Sequence, residues 1–419
     1  MISLIEALNY RCLRYVHQRL GSFHVLVGPN ASGKTSFLDV VAFLHQLVAE
    51  GLDEAIGSRT ANFSDLVWWH EEDGFELAVE VRIPEASRRL LDDPSFDTVR
   101  YEVAIRHDSE SQEVQIVGEQ GFLKVEEQVK AQQKSSFPMS IDAPRSIALQ
   151  GARQKNTRGL FSKAHGGNDN YYAEAHPKEG RWHPAFKLGP RKSTLANLPE
   201  DETNFPVSTW FKQILVEGIE AIVLNSLQMR QASAPGRGMG FKPDGSNLPW
   251  VVADLQRRAP QRVEAWVSHL QTALPDLVRI HTVERADDRH RYLQLTYREG
   301  LTVPSWMASD GTLRLLALTL PAYLDNLKGV YLIEEPENGI HPQAVDTMYQ
   351  SLSSVYDAQI MLATHSPVIL SGAKPEEVLC FAKTEEGATD IVSGDQHPEL
   401  ADWRGEVNLG TLFASGVLG

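Results

Sequence analysis

The chain has only two cysteines, Cys12 and Cys380, in 419 residues. So few exclude a disulfide framework and zinc-site spacing, and suit a reducing cytosol. No run approaches the roughly 20 apolar residues that span a bilayer, so no membrane association is expected. Positive charge is in deficit, with 40 Lys and Arg against 55 Asp and Glu and a formal net charge of -15. That balance argues against whole-surface attraction to nucleic acid or anionic membrane and leaves only a local basic patch open. Met1-Ile2-Ser3-Leu4-Ile5-Glu6 lacks a basic region followed by a long apolar stretch, so no secretion signal is read and a cytoplasmic location is expected. No heptad pattern is sustained and no internal repeat is found, which argues against a long coiled-coil arm. What is present is ordinary globular composition, 42% hydrophobic and 23% charged, suited to two or three structural units.

Two segments almost the whole chain apart carry the chemistry. Gly28-Pro29-Asn30-Ala31-Ser32-Gly33-Lys34-Thr35 fits the phosphate-loop pattern of Gly, four residues, then Gly-Lys-Ser/Thr. Phe23–Val27 reads as a strand running into it. Phe37, Val40, Val41, Leu44, Leu47 and Val48 recur behind it at helical spacing, which is the context the motif requires. The glycines let backbone N–H groups turn toward phosphates, and the helix start favours anions. Asn30, Gly33, Lys34, Thr35 and Ser36 are therefore the candidate nucleotide-binding residues, with Lys34 on the phosphates and Thr35 on magnesium. The second segment, Val330-Tyr331-Leu332-Ile333-Glu334-Glu335, puts two carboxylates at the end of an apolar strand, where ligands bind in open parallel sheets. Glu334 is the candidate magnesium ligand and Glu335 the residue that polarises the attacking water.

Two more segments sit near these. Ser309-Asp310-Gly311-Thr312 precedes a helical pattern with a natural cap and a glycine, a ready anion site. Thr364-His365-Ser366-Pro367 follows the apolar Gln359–Ala363, and His365 is placed to hydrogen-bond a γ-phosphate. Elsewhere Phe75–Ile83, Tyr101–Ile105 and Tyr292–Tyr297 alternate with period two, suggesting an antiparallel lobe with one wet face. Helical patterns run over Val207–Leu227, Trp250–Leu274, from Leu313, and over Gln343–Val355.

The stretch Gln154–Asn204 reads as an insertion with long loops. Its His165, Asn168, Asn170, His176 and His183 read as a polar loop, against a nuclease-like or metal site. The basic run Arg153, Lys155, Arg158 and Lys163 and the later Arg181, Lys187, Arg191 and Lys192, with Tyr171, Tyr172 and Trp182, offer nucleic acid a surface, against the reading of a solvated charged insertion. Trp68-Trp69 is expected in core or lobe-interface packing. The apolar tail Val407–Gly419 is read as packing on its own domain or on a partner.

The order of phosphate loop, Ser-Asp-Gly-Thr helix, apolar strand with Glu334-Glu335-Pro336-Glu337-Asn338-Gly339-Ile340-His341-Pro342, and Thr-His-Ser-Pro resembles the ABC-type ATPases of the RecF/SMC-like branch. Within that branch it is similar to the short "AAA family" ATPases of bacterial defence islands, relatives of the overcoming-lysogenization-defect proteins. The resemblance covers roughly Met1 to His107 and Asp244 to Ser371. It implies an α/β ABC-type ATPase head assembled from both chain ends: an N-terminal lobe at 1–107, an inserted lid or arm at 108–243 and a C-terminal lobe at 244–419. It further implies ATP and Mg2+ as ligands, a homodimer or higher oligomer with ATP sandwiched between heads, and catalytic roles for Glu335 and His365. Ser309 and Gly311 resemble the signature motif that completes a second subunit's site, and Glu337 and Asn338 match a loop at the dimer interface. Lys242–Pro249 is also familiar from this group, with no chemistry assigned to it beside the reading of a turn before a helix.

Glu334 stands where many relatives have Asp, which suggests slow hydrolysis. The family's glutamine loop is not placed in this sequence. About 50 residues follow His365, too few for the nuclease domain many relatives carry, so an effector is expected on a separate chain. Three uses follow: a sensor or regulator of anti-phage defence controlling that effector, a RecF-like repair ATPase, or a slowly hydrolysing ATP-binding scaffold.

Overall fold

The computed structural model describes residues 1–70, 72–126, 133–140, 142–147, 156–175, 184–236, 238, 240–325, 327–400, 408–416 and 418. The chain opens with β1 (Ile2–Tyr10), β2 (Leu13–Arg19) and β3 (Phe23–Val27), then the helix Lys34–Ala49. Next come β4 (Gly74–Arg82), β5 (Thr98–Asp108), β6 (Glu113–Lys124), β7 (Arg158–Ala164), β8 (Asp169–Tyr171) and β9 (Ala185–Phe186). After the helix Pro206–Glu217 the single strand β10 (Ile219–Ile222) follows. Then β11 (Leu277–Glu284), β12 (Arg291–Tyr297) and β13 (Thr302–Pro304) form a small antiparallel sheet of their own. The last third supplies β14 (Gly329–Glu334), β15 (Ala358–Ala363), β16 (Val378–Lys383) and β17 (Thr389–Ser393).

Six of these strands form a sheet in the order β10-β14-β15-β3-β16-β17, parallel except for β17. β3 from the N-terminus therefore lies between two strands from the C-terminal third, and the α/β head is assembled from both chain ends. Period-two alternation divides the sheet's side chains between two cores. Leu26, Leu332, Met361 and Phe381 enter one, with Phe37, Val40, Val41, Leu44 and Leu47 of the helix behind the phosphate loop. Val25, Val27, Ile333, Ile360, Leu362 and Cys380 enter the other, with Leu313, Leu316, Met348 and Leu352. Burial on both faces is why these strands read as continuous apolar runs.

The larger sheet runs β2-β1-β4-β5-β6-β7-β8-β9, antiparallel throughout. One face carries Ile5, Leu77, Val79, Val99, Tyr101 and Val103 into the first core. The other is polar but not wet. Arg100 bonds Glu6 at 2.5 Å, Glu102 at 2.6 Å and Glu80 at 3.3 Å, and Lys124 reaches Glu80 at 2.8 Å, all of them largely buried. Burial alone would raise the Glu6 carboxyl, but bonds from His17 and Arg100 hold it at about 2. Glu76 accepts from Ser146 Oγ at 2.8 Å and Ile147 N at 2.6 Å, so the segment around Ile147 covers part of this face.

Several expected elements are corrected. The boundary read at 107/108 falls at the end of β5, and β6 to β9, within the stretch read as an inserted lid or arm, continue the same sheet. Tyr292–Tyr297 belongs to the small sheet and not to the larger antiparallel one. Val207–Leu227 is not one helix: it ends at Gly218, and β10 then pairs with β14. Trp250–Leu274 is two helices, Leu248–Arg258 and Pro260–Leu270, broken where Pro260 cannot donate an N–H. The tail helix Leu409–Ala414 packs on its own domain, with Gly410 so close to Pro367 and Ser371 that a Cβ would lie 2.1 Å from Pro367 O. Among the described residues no helix is long and apolar enough to cross a membrane.

Candidate functional site

β3 delivers the phosphate loop at the carboxyl edge of the parallel sheet, and β14 delivers Glu334 to the same edge two strands away. The loop's backbone is fixed by glycine. Gly28 and Gly33 have φ of 147° and 105°, and a Cβ on either would lie 2.2 Å from Phe381 O or Thr389 Oγ1. Thr389 Oγ1 also donates to Ser32 O at 2.9 Å, so β17 buttresses the loop from the chain's far end. Lys34 Nζ donates to Gly28 O at 2.8 Å and Pro29 O at 2.9 Å. Burial pushes the Lys34 ammonium below the ordinary lysine range, against the pull of Glu335 and Glu334.

Thr35 Oγ1 donates to Glu334 Oε2 at 2.5 Å, across 299 positions of sequence. Two hard oxygen donors so placed fit a small divalent cation that takes its remaining ligands from phosphate and water, as magnesium does. Among the described residues no cluster of three or more His, Cys, Asp or Glu is arranged to hold a metal without such help. The Ser32 hydroxyl is buried without a partner, a further group left for a phosphate oxygen to satisfy.

Glu335 follows in the left-handed region at φ 46°, its N–H donating to Ala363 O at 2.8 Å. Its Oε2 accepts from Asn338 Nδ2. Glu337 Oε1 accepts from Thr364 Oγ1 at 2.6 Å and His365 N at 3.0 Å, tying the loop after β14 to the loop that carries His365. A cavity of about 740 Å3 brings together Asn30, Gly33, Lys34, Thr35, Ser36, Glu334, Glu335 and His365.

Ser309 and Gly311 are not in that lining. Ser309 Oγ caps the helix Asp310–Thr319 by accepting from Thr312 N at 3.1 Å, and a Cβ on Gly311 would lie 2.4 Å from Gly339 O. Beside this exposed helix start stand Trp306 and Met307, 45% and 70% exposed. Lys242–Pro249 forms a turn before the helix Leu248–Arg258, with buried Asn247 donating to Gly240 O at 2.6 Å.

Residues not anticipated from sequence also line the cavity: Arg11, Arg59, Trp69, His70 and Lys383. Arg11 and Arg59 share Asp39 at 3.1 and 2.7 Å, and Tyr10 donates to Asp39 at 2.6 Å. Arg11 occupies a hairpin turn, and its nearness to the loop comes only from the pairing of strands, so no local signal marks it. Of the two settings expected for Trp69, core or lobe-interface packing, the core is excluded: it is 57% exposed and lines this cavity.

Three of the basic residues read in the insertion are paired, and among the described residues Lys187 and Lys192 are exposed. Lys163 is buried against Asp169 at 2.7 Å, Arg158 pairs with Asp92, and Arg191 with Asp53. The Tyr171 hydroxyl is buried, donating to Thr194 O and Asn197 O at 3.0 Å. Arg153, Lys155, His176, Arg181, Trp182 and His183 lie outside the described residues, as does Val407 in the tail.

A family model described as "AAA domain, putative AbiEii toxin, Type IV TA system" matches residues 23–120 and 167–371, well over half of the chain. Among solved structures, an Smc head bound to the C-winged helix domain of ScpA is 12% identical, with a TM-score of 0.54 over 93% of this chain and 97% of that one. An Smc head domain with an extended coiled coil, bound to the C-terminal domain of ScpA derived from Pyrococcus furiosus, is also 12% identical, with a TM-score of 0.51 over 93% and 95%. At that identity the likeness concerns the fold. No curated protein matches.

Proposed function

The chain belongs to this AAA-domain family and has the fold of an SMC-type ATPase head, and we propose that it hydrolyses ATP with magnesium as an ATP-gated dimer. The observation that carries this reading is the meeting of Thr35 and Glu334 beside Lys34, made by strands from opposite ends of the chain. Lys34 neutralises phosphate charge, and the Thr35 hydroxyl and Glu334 carboxylate would hold the cation, which would neutralise charge on the phosphate oxygens. Glu335 takes a proton from water as the water oxygen attacks the γ-phosphorus and the bond to the ADP oxygen breaks. His365 donates a hydrogen bond to the γ-phosphate, and Glu337 holds the backbone that carries it.

The composite site is supported by where Ser309 stands: at an exposed capped helix start, flanked by exposed Trp306 and Met307, and outside the lining of the cavity that holds its own chain's phosphate loop. A second subunit brings Ser309 and Gly311 to the triphosphate. Binding then favours the closed pair, and hydrolysis releases it. Turnover in wild type that Glu335→Gln abolishes, and ATP-driven dimerisation that Ser309→Arg abolishes, are the expected results. Unchanged dimerisation in Ser309→Arg removes the composite site.

We further propose that the ATPase is the sensing or regulating part of an anti-phage defence system, controlling a separately encoded toxin or nuclease. The family's description names a toxin–antitoxin system, and the similar Smc heads are recorded with a bound partner protein. A pull-down with Glu335→Gln identifies the partner; retention of DNA alone favours a repair role instead. A slowly turning ATP-binding scaffold is the second reading, favoured by Glu334 in the usual Asp position. It requires ATP-driven dimerisation with no measurable turnover.

A further inference from the structure

One wall of the cavity takes no part in the chemistry above. It is the segment from Arg59 to His70, and it is carefully fastened. Asn62 Oδ1 accepts from Ser64 N at 3.3 Å and Thr60 Oγ1 donates to Asp65 Oδ2 at 2.6 Å. Arg11 N donates to Leu66 O at 2.9 Å, and Val67 bridges to Tyr10, which ties the wall to the β1–β2 turn. Leu66 and Val67 are buried, and then the chain leaves the core. Trp69 and His70 both take positive φ, 53° and 58°. Two successive non-glycine residues in the left-handed region are costly for bulky side chains, and a fold keeps such strain where the surroundings impose it. The outcome is an indole 57% exposed, lining the cavity that contains the phosphate loop. Trp68 lies against it with ring centroids 5.7 Å apart and planes at 31°, and His70 Nδ1 is held at 2.7 Å from Ser64 O. A tryptophan serving the core would bury this surface.

We propose that Trp69 is the platform on which the base of the bound nucleoside triphosphate stacks. The inference rests on the nucleotide-binding reading and adds the base subsite to it. Stacking uses the π-face that every base has, so the wall supplies affinity for a nucleoside triphosphate over a bare polyphosphate. The cavity, about 740 Å3, is of the size that encloses such a ligand.

The test is calorimetric titration of ATP and of inorganic tripolyphosphate, each with magnesium, into wild type, Trp69→Ala and Trp69→Phe at concentrations where the protein is monomeric. Trp69→Ala is expected to weaken ATP binding roughly 10-fold or more, leave tripolyphosphate within about 2-fold, and be largely rescued by Trp69→Phe. An ATP loss below about 2-fold overturns the platform. So does an equal loss for both ligands, which would mean that the wall props the loop, or an effect on dimerisation alone. Wild type that binds tripolyphosphate and ATP equally also overturns the platform while leaving the phosphate site standing. Wild type that binds neither ligand overturns the nucleotide reading, and the platform with it.

Discussion

At His24, one residue type fits and one charge state does. Its Nε2 accepts from Gly21 N at 2.6 Å while Nδ1 donates to Glu377 O at 3.2 Å, so the neutral ring satisfies both neighbours and a second ring proton would face an N–H. Burial lowers its pKa from 6.5 to about 4. Above pH 6.5 the group is neutral in both folded and unfolded chains and costs nothing. As pH falls from 6.5 toward 4 the unfolded chain takes up the proton and the folded one does not, so stability is lost across that window, on the order of 3 kcal/mol in full. Urea titrations of wild type and His24→Gln between pH 7 and 4 should show a smaller acid loss in the variant. At Gly28 both a positive φ and a backbone oxygen exclude any side chain, so Gly28→Ala should abolish ATP binding and lower stability by more than about 1 kcal/mol, read by calorimetry and thermal melts. Asn338 donates to one oxygen of Glu335, the carboxylate proposed to take the proton from water, so Asn338→Ala should raise turnover measured with the dimer formed; a fall would make Asn338 a support for Glu335 instead. The loop and the carboxylates were legible because their geometry is local: a few residues set a turn or a strand end. Arg11, Trp69 and Lys383 were not, because what makes them cavity residues is which strands pair and which residue leaves the core, and neither is written in their neighbours.

Elements were legible where burial imposes a period. The helix behind the phosphate loop presents its apolar residues to one core, and β14 and β15 are apolar because cores lie on both sides of them. The misreadings have the converse cause. β10 is four residues long and follows the helix Pro206–Glu217 after one glycine, so its apolar residues continue the helical pattern. β7, β8 and β9 are held by successive ladders outward from β6, and these short strands carry no sustained alternation. The Ser309 helix allows two roles to be separated at the scale of an element. Ser309→Ala removes the cap on Thr312 N and should cost about 1 kcal/mol in denaturant unfolding of the monomer. Ser309→Asp restores a cap, so recovered stability with ATP-driven dimerisation still impaired would separate the contact in trans from the cap.

A buried amide helps to join the two large sheets. Gln359 on β15 accepts from Ile2 N at 2.9 Å and donates to Ile2 O at 2.8 Å and Gly21 O at 2.6 Å. Gln359→Ala leaves three backbone groups without partners and should cost about 3 kcal/mol or more, measured by urea unfolding. A loss under about 1 kcal/mol would show that the sheets dock without it. No sequence pattern foretold this joint, since a glutamine in an apolar strand reads as a defect until its partners, some 340 to 360 positions earlier, are known.

The place of β3 has a consequence for how the protein is made. Its two neighbours, β15 and β16, are translated after residue 350. Throughout most of synthesis the strand that leads into the phosphate loop therefore leaves the ribosome with both edges bare, and an unpaired apolar strand invites aggregation. A message cut short before β15 and β16 yields no half-formed head, only a nascent chain that chaperones must shield or proteases must clear.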